Sequence, residues 1–156
     1  MEGWDFSYKQ ALTFFPHWAR GLQVFANYSR RTTQSRDIGT IGFNDIPYSG
    51  SFGVSLNRAR YSLRLNCSFR DDQRTNNVTG ASIEPGTFVY TPARNTIDVL
   101  GEYTLWRTVA LFANLRNIGD IPNEDAAEGP STPAVAKLRF RERYGSLWTL
   151  GLKGTF

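Results

Sequence analysis

Apolar and polar residues alternate along most of this chain, and the alternation is clearest in its last segment. Within residues 144–156 the large apolar side chains share one parity: Trp148, Leu150, Leu152 and Phe156. Polar residues such as Thr149 and Lys153 occupy the other parity. A period of two predicts a β-strand with one apolar and one polar face. The same parity extends back to Leu138, and a strand of about 19 residues would be long for a soluble sheet.

Six earlier segments show the same period of two. They are residues 3–15, 22–30, 48–56, 61–69, 88–103 and 109–117. In the cleanest of them, 61–69, Leu65 lies on the apolar parity and Asn66 on the polar one. The pattern therefore predicts an all-β protein with about seven antiparallel strands.

The connections between the predicted strands are alternately short and long. The short ones are residues 16–21, 57–60 and 104–108, and the long ones are 31–47, 70–86 and 118–136. Outer-membrane barrels have this rhythm, with short periplasmic turns and long extracellular loops. Aromatic residues also bracket strands, as Tyr61 and Phe69 do, which is typical of the girdles at membrane interfaces. We therefore expect an antiparallel transmembrane β-barrel segment.

Composition limits the alternatives. Hydrophobic residues make up 40%, the mean hydropathy is −0.39, and no run approaches 18 apolar residues, so a helical membrane protein is excluded. A strand-based membrane protein fits these values because its alternating strands average to a polar score. The net charge of +4 comes without a basic block, which argues against nucleic-acid binding. No signal peptide is visible, so either the barrel interpretation is wrong or the N-terminal part of an exported protein is missing, and we expect the latter.

The residues that usually carry chemistry are few. His17 and Cys67 are the single histidine and the single cysteine, so no zinc set, Cys-His pair or internal disulfide is expected. Four acidic residues crowd one predicted loop: Asp120, Glu124, Asp125 and Glu128. We favour a solvated acidic loop over a weak divalent-cation site there. No phosphate loop, catalytic acid pair or serine elbow is present, so we expect neither an enzyme nor a cofactor.

Several segments together resemble the C-terminal end of a TonB-dependent receptor. Residues 114–120, Asn-Leu-Arg-Asn-Ile-Gly-Asp, resemble the "v-x-N-l-x-D" stretch at the end of that family's penultimate strand. Residues 150–156 resemble the closing segment of that family, and residues 22–28 resemble the type of strand segment found in it. The resemblance implies that residues 1–156 are the last seven strands of a 22-stranded barrel. The plug domain and the N-terminal strands would then lie outside this chain.

The resemblance also implies a function and a set of partners. The intact receptor would take up a scarce nutrient, such as a siderophore, corrinoid or carbohydrate, across the bacterial outer membrane. TonB would act only through the missing N-terminal part. The other implied partners are outer-membrane lipid, the rest of the receptor and the barrel-assembly machinery. The implied C-terminal assembly signal consists of Trp148, Leu150, Leu152 and Phe156.

Four charged residues lie on the polar parity of their strands, the side expected to face away from lipid: Arg64, Asp98, Glu102 and Lys153. In a large barrel they would face water or the plug, where charge is tolerated. We favour this lumen-facing role over ligand binding for each of them.

Two other readings remain open. The first is a small complete outer-membrane barrel with a structural, adhesive or lipid-modifying role; the odd strand number and missing signal peptide argue against it. The second is a soluble β-sandwich that binds a carbohydrate or a partner protein. The aromatic bracketing of successive strands argues against the sandwich.

Overall fold

The computed structural model describes residues 2–16, 19–32 and 46–154. Within these ranges the chain forms eleven strands and one short 3₁₀ helix, at Ala134–Ala136. The strands are β1 (Glu2–Ala11), β2 (Leu22–Thr32), β3 (Tyr48–Asn57), β4 (Tyr61–Arg70), β5 (Gln73–Asn77), β6 (Phe88–Thr91), β7 (Arg94–Trp106), β8 (Val109–Arg116), β9 (Asn123–Glu128), β10 (Leu138–Glu142) and β11 (Leu147–Gly154).

The strands form two antiparallel sheets. The main sheet has the order β1-β2-β3-β4-β7-β8-β11, and the smaller sheet has the order β10-β9-β6-β5. Every pair of neighbours is antiparallel. The main sheet contains the seven strands predicted from the sequence, so the prediction of an all-β, antiparallel fold is confirmed.

Two of the predicted strands are in fact broken. The segment 88–103 divides into β6 and β7 at Pro92, which has no N–H to donate to a ladder. The long final strand divides into β10 and β11, and Gly145 between them has a φ of 74°. Such a backbone conformation interrupts a strand. The first strand also ends at Ala11, earlier than predicted.

The prediction that residues 70–86 and 118–136 are loops was wrong in part. The former contains β5 and the latter contains β9. Both strands are polar and lack apolar alternation, so their pairing with β6 and β10 is what makes them strands. The third predicted loop, 31–47, falls mostly outside the described residues.

The smaller sheet continues half of the main sheet. Its order, β5-β6-β9-β10, repeats that of the strands from which it extends, β4-β7-β8-β11. The β4–β7 ladder ends at the pair Arg70↔Arg94, and the β5–β6 ladder resumes at Gln73↔Thr91. At the break, the Ala93 N–H donates to Asp72 Oδ1 at 2.6 Å. This hairpin therefore resumes in the same register, whereas the second one shifts by two residues between the pairs Leu147↔Arg116 and Glu142↔Asn123.

Asn117 connects the corresponding break between β8 and β9 to the break between β10 and β11. Its φ is 53°, and its side chain bonds the N–H and the C=O of Ile121 at 3.1 Å each. The same amide donates to the Gly145 carbonyl at 3.3 Å. The Asn117 N–H in turn donates to Asp98 Oδ1 at 2.9 Å. One residue thus satisfies backbone groups on both arms of the β8–β11 hairpin, where that hairpin leaves the main sheet.

The register places all the apolar parities of the main sheet on one face. One row of paired residues crosses all seven strands: Gln10, Val24, Val54, Leu65, Val99, Leu115 and Trp148. Among the described residues, the only buried hydrophobic ones are Ala19 and Ala110. The apolar face is therefore open, and it packs against nothing in the described chain.

Candidate functional site

The polar face of the main sheet carries a cavity of about 750 Å³. It lies toward the end of the sheet that holds the short turns, and every strand of the main sheet contributes to its wall. Its charged lining consists of Lys9, Arg64, Glu102 and Lys153. Because these side chains lie on the polar parity, the same alternation that creates the apolar face also lines the cavity.

The Lys153 ammonium and the Glu102 carboxylate form an ion pair at 3.1 Å. The two residues lie on β11 and β7, so the pair spans the intervening strand β8. Lys153 lies directly opposite Ala110, one of the two buried hydrophobic residues. The small alanine side chain leaves room for the lysine to cross β8.

Two phenylalanines on this polar face lie over glycines of the neighbouring strand. Phe25 is paired with Gly53, and Phe112 with Gly151. A Cβ on either glycine would lie 2.6 Å from the Cζ atom of the facing ring. An aromatic side chain that covers a cross-strand glycine in this way compensates for the missing side chain.

Arg64 adds a second layer to one of these pairs. Its guanidinium lies 4.4 Å from the centre of the Phe25 ring, which is a cation–π contact. The sequence placed Phe25 on the polar parity but gave it no role, and it did not single out Phe112 or Lys9. A glycine inside a predicted strand could have indicated that an aromatic side chain of the neighbouring strand covers it. Finding that aromatic residue requires the strand register, which the sequence alone does not provide.

The four predicted lumen charges do not form one cluster. Arg64, Glu102 and Lys153 share the cavity, whereas Asp98 lies in a second cavity toward the long connections. There, Asp98 accepts the Asn117 N–H and thereby anchors the end of β8. All four lie on the polar face, and their orientation toward a barrel lumen stays a prediction.

The residues of the predicted assembly signal lie on the opposite, apolar face of β11. Trp148, Leu150 and Leu152 are 67%, 71% and 68% exposed. Phe156 lies outside the described residues. The structure thus places three side chains in one exposed column, and their role as a signal stays a prediction.

The acidic residues of 118–136 have partners of opposite charge or hydrogen-bond donors. Glu124 pairs with Arg141 at 3.0 Å, Glu128 with Lys137 at 2.7 Å, and Asp120 with Arg143 at 2.6 Å. The hydroxyl of Thr91 donates to Asp125 at 3.2 Å. Glu124, Asp125 and Glu128 thus lie on strand β9 rather than in a loop, and the side chains of Glu124 and Glu128 remain partly open to solvent as expected. No cluster that could hold a metal occurs in the described part of the chain.

Cys67 and His17 are the two remaining candidates from the sequence, and only Cys67 lies within the described residues. Cys67 is a half-buried free thiol on the apolar face. His17 lies outside the described residues.

The two long hairpins also meet at their tips. Glu84, between β5 and β6, accepts hydrogen bonds from the Ser131 hydroxyl at 2.6 Å and the Ser131 N–H at 3.0 Å. These bonds favour the carboxylate and lower the pKa of Glu84 below its usual value. The contact reinforces the β6–β9 pairing that joins the hairpins.

Comparisons with known proteins identify no relative. No family model matches this chain, and no curated protein or solved structure matches it. Among the described residues, no helix is long and apolar enough to cross a membrane.

Proposed function

We propose that this chain forms part of the wall of a transmembrane β-barrel in the bacterial outer membrane, as the C-terminal strands of a TonB-dependent receptor. The observation that carries the proposal is the continuous apolar face that remains exposed. Burying one large apolar side chain contributes about 1.5–3 kcal/mol. A sheet that leaves Leu150, Leu152 and Trp148 open forgoes this stabilisation unless lipid covers them.

The stagger of the strands fits a barrel wall. The row of paired residues that starts at Gln10, one residue from the short-turn end of β1, finishes at Trp148, one residue from the opposite end of β11. Measured from the short-turn ends, the row thus shifts by about five residues over six strand spacings, which with a rise of about 3.3 Å and a spacing of about 4.8 Å tilts the strands by about 30°. This value is close to the tilts of about 35–45° in closed barrels.

Aromatic side chains lie near both ends of the apolar face. At the long-connection end, the Trp4 and Tyr28 rings are 5.1 Å apart, and the Tyr28 and Phe69 rings are 6.2 Å apart. At the short-turn end, Tyr61 lies directly opposite Tyr103. Two aromatic bands are typical of side chains at the two membrane interfaces.

In this proposed barrel, the polar face of the main sheet faces the lumen, where it contacts water and the plug. The rest of the receptor supplies the plug, the contact with TonB and the remaining strands. The function is energy-coupled uptake of a nutrient, without catalysis and without a cofactor in this chain. The chemical class of the nutrient stays open among siderophores, corrinoids and carbohydrates.

Thiol labelling tests the membrane assignment. Cys67 lies on the apolar face, and Ser68 lies next to it on the polar face and is equally half-buried. In outer membranes of cells that make the protein, Cys67 should react with a lipid-soluble maleimide and resist a membrane-impermeant one. The matched variant, Ser68→Cys in a Cys67→Ser background, should show the opposite preference. Equal labelling of both thiols by the impermeant reagent would reject the assignment.

A small barrel is the second candidate, and a cavity lined by both edge strands favours it. Seven strands span about 29 Å when flat, at about 4.8 Å per spacing. In a 22-stranded barrel they would cover about a third of the circumference, which keeps the edge strands far apart. Here Ser7 of β1 and Lys153 of β11 line the same cavity. Their strands are nevertheless not paired with each other in the described sheet.

Cross-linking separates the two barrel sizes. The variant Ser7→Cys/Lys153→Cys, in a Cys67→Ser background, is treated in the membrane with a short bifunctional maleimide. A small closed barrel should give an intramolecular cross-link. A large receptor should give none, because further strands hold β1 and β11 apart.

A further inference from the structure

Three arginines come together on the polar face where the two long hairpins leave the main sheet. Arg70, Arg94 and Arg116 line a cavity of about 460 Å³ at the ends of β4, β7 and β8. Arg70 and Arg94 lie directly opposite each other in the β4–β7 ladder. Like charges in this position repel and are unfavourable in a sheet.

The described part of the chain does not neutralise this cluster. Within the described residues, none of the three arginines forms an ion pair. The one carboxylate in the cavity wall, that of Asp98, accepts the Asn117 N–H through Oδ1. The cavity therefore carries three positive charges against one negative charge.

Arg94 is fixed by a backbone contact. Its terminal Nη2 donates to the Ile121 carbonyl at 3.3 Å, which limits the movement of the guanidinium. The charge of Arg94 is therefore held beside that of Arg70, its partner in the ladder.

From the opposed arginines and the lack of ion pairs to them among the described residues, we infer that this cavity binds a small anion with two or more carboxylate or phosphate groups. Guanidinium groups bind such oxygens through paired hydrogen bonds, and several of them can hold one multivalent anion. Ser68, Thr96 and Asn123 in the same wall supply further hydroxyl and amide groups. The inference depends on the arginine geometry and does not require the membrane assignment.

The larger cavity has the same balance of three cationic residues to one carboxylate, but its charges are arranged differently. There, Lys153 is paired with Glu102, and Arg64 is stacked on Phe25. Arg64 therefore provides a matched control, since it lies on the same strand and face as Arg70.

Calorimetry on the full chain, refolded in detergent micelles, tests the inference with citrate and with pyrophosphate as probes. Saturable binding of at least one probe is expected. Arg94→Gln should weaken it about tenfold or more, the scale for a charge-assisted hydrogen bond. Arg94→Lys should also weaken it, because lysine keeps the charge but loses the planar fork. Arg64→Gln should leave it within about twofold, since Arg64 lies outside the site.

The two probes distinguish the source of the oxyanions. Binding of citrate alone assigns a carboxylate ligand, binding of pyrophosphate alone assigns a phosphate ligand, and binding of both assigns the shared geometry. Absence of saturable binding to chain with native β-sheet circular dichroism would overturn the inference. Equal weakening by Arg64→Gln and Arg94→Gln would also overturn it, as would wild-type affinity in Arg94→Lys. None of these outcomes affects the thiol-labelling result at Cys67, so the two proposals fail separately.

Discussion

Lys153 reaches across an entire strand to Glu102, and their charged groups meet at 3.1 Å over β8. The contact is possible because Ala110, opposite Lys153, has a side chain too small to block it. It connects the edge strand β11 to β7, with which β11 shares no backbone hydrogen bonds. The ion pair therefore links β11 and β7, two strands that are not joined by backbone hydrogen bonds.

This ion pair should contribute little to stability. The two side chains are 64% and 37% exposed, so solvent screens their attraction. In a double-mutant cycle with Lys153→Met and Glu102→Gln, we expect a coupling of about 0.2–1 kcal/mol. Denaturant unfolding of the micelle-refolded chain would measure it. The coupling should shrink at high salt, and a value that stays constant with salt would contradict this account.

A charge on the apolar face should be far more harmful than one on the polar face. Leu65 and Asn66 are neighbours near the middle of β4 and point to opposite faces. For a lipid-facing strand, Leu65→Arg should cost about 2–4 kcal/mol and Asn66→Arg much less. Folding into lipid vesicles measures both variants under the same conditions. Equal costs would show that the faces are assigned wrongly.

Gly53 should tolerate no side chain. A Cβ there would lie 2.1 Å from the Leu65 carbonyl oxygen and 2.6 Å from Phe25 Cζ. Gly53→Ala should therefore destabilise the sheet by about 1–3 kcal/mol, the scale for overpacking. Gly101→Ala is the control, because its Cβ would meet its nearest atoms at 3.8 Å. Unfolding curves that shift equally for the two variants would refute the predicted clash.

The hairpin tips should separate in acid. Because the folded-state pKa of Glu84 is lowered, its contact with Ser131 is fully present above the usual value of 4.5 and is lost as the pH falls through the lowered value. Amide exchange of Ser131, corrected for its intrinsic rate, should lose protection in that window. Glu84→Gln should remove the pH dependence.

An internal control for the acid experiment lies two residues away. The Gly129 N–H donates to the Thr132 hydroxyl at 2.8 Å, and this acceptor does not titrate in that window. Its protection should stay constant while that of Ser131 falls. Parallel loss at both amides would indicate general unfolding of the tip instead of release from Glu84.

The sequence by itself determined which residues share a face. Leu65 and Asn66 point to opposite sides because successive side chains alternate in any strand, whichever strands are its neighbours. The seven strands of the main sheet and the parities of Glu102 and Lys153 could be predicted for the same reason. Local alternation carries this information without any knowledge of pairing.

Only the tertiary structure decided which residues meet. β5 and β9 have no apolar alternation and become strands because β6 and β10 pair with them. The contact of Phe25 with Gly53, and the facing of Arg70 and Arg94, depend on register between segments that are distant in sequence. Register is set by the summed pairing of whole strands, and a slip of one residue would turn every side chain of a strand to the other face. The arginine cavity therefore exists only once the strands are paired.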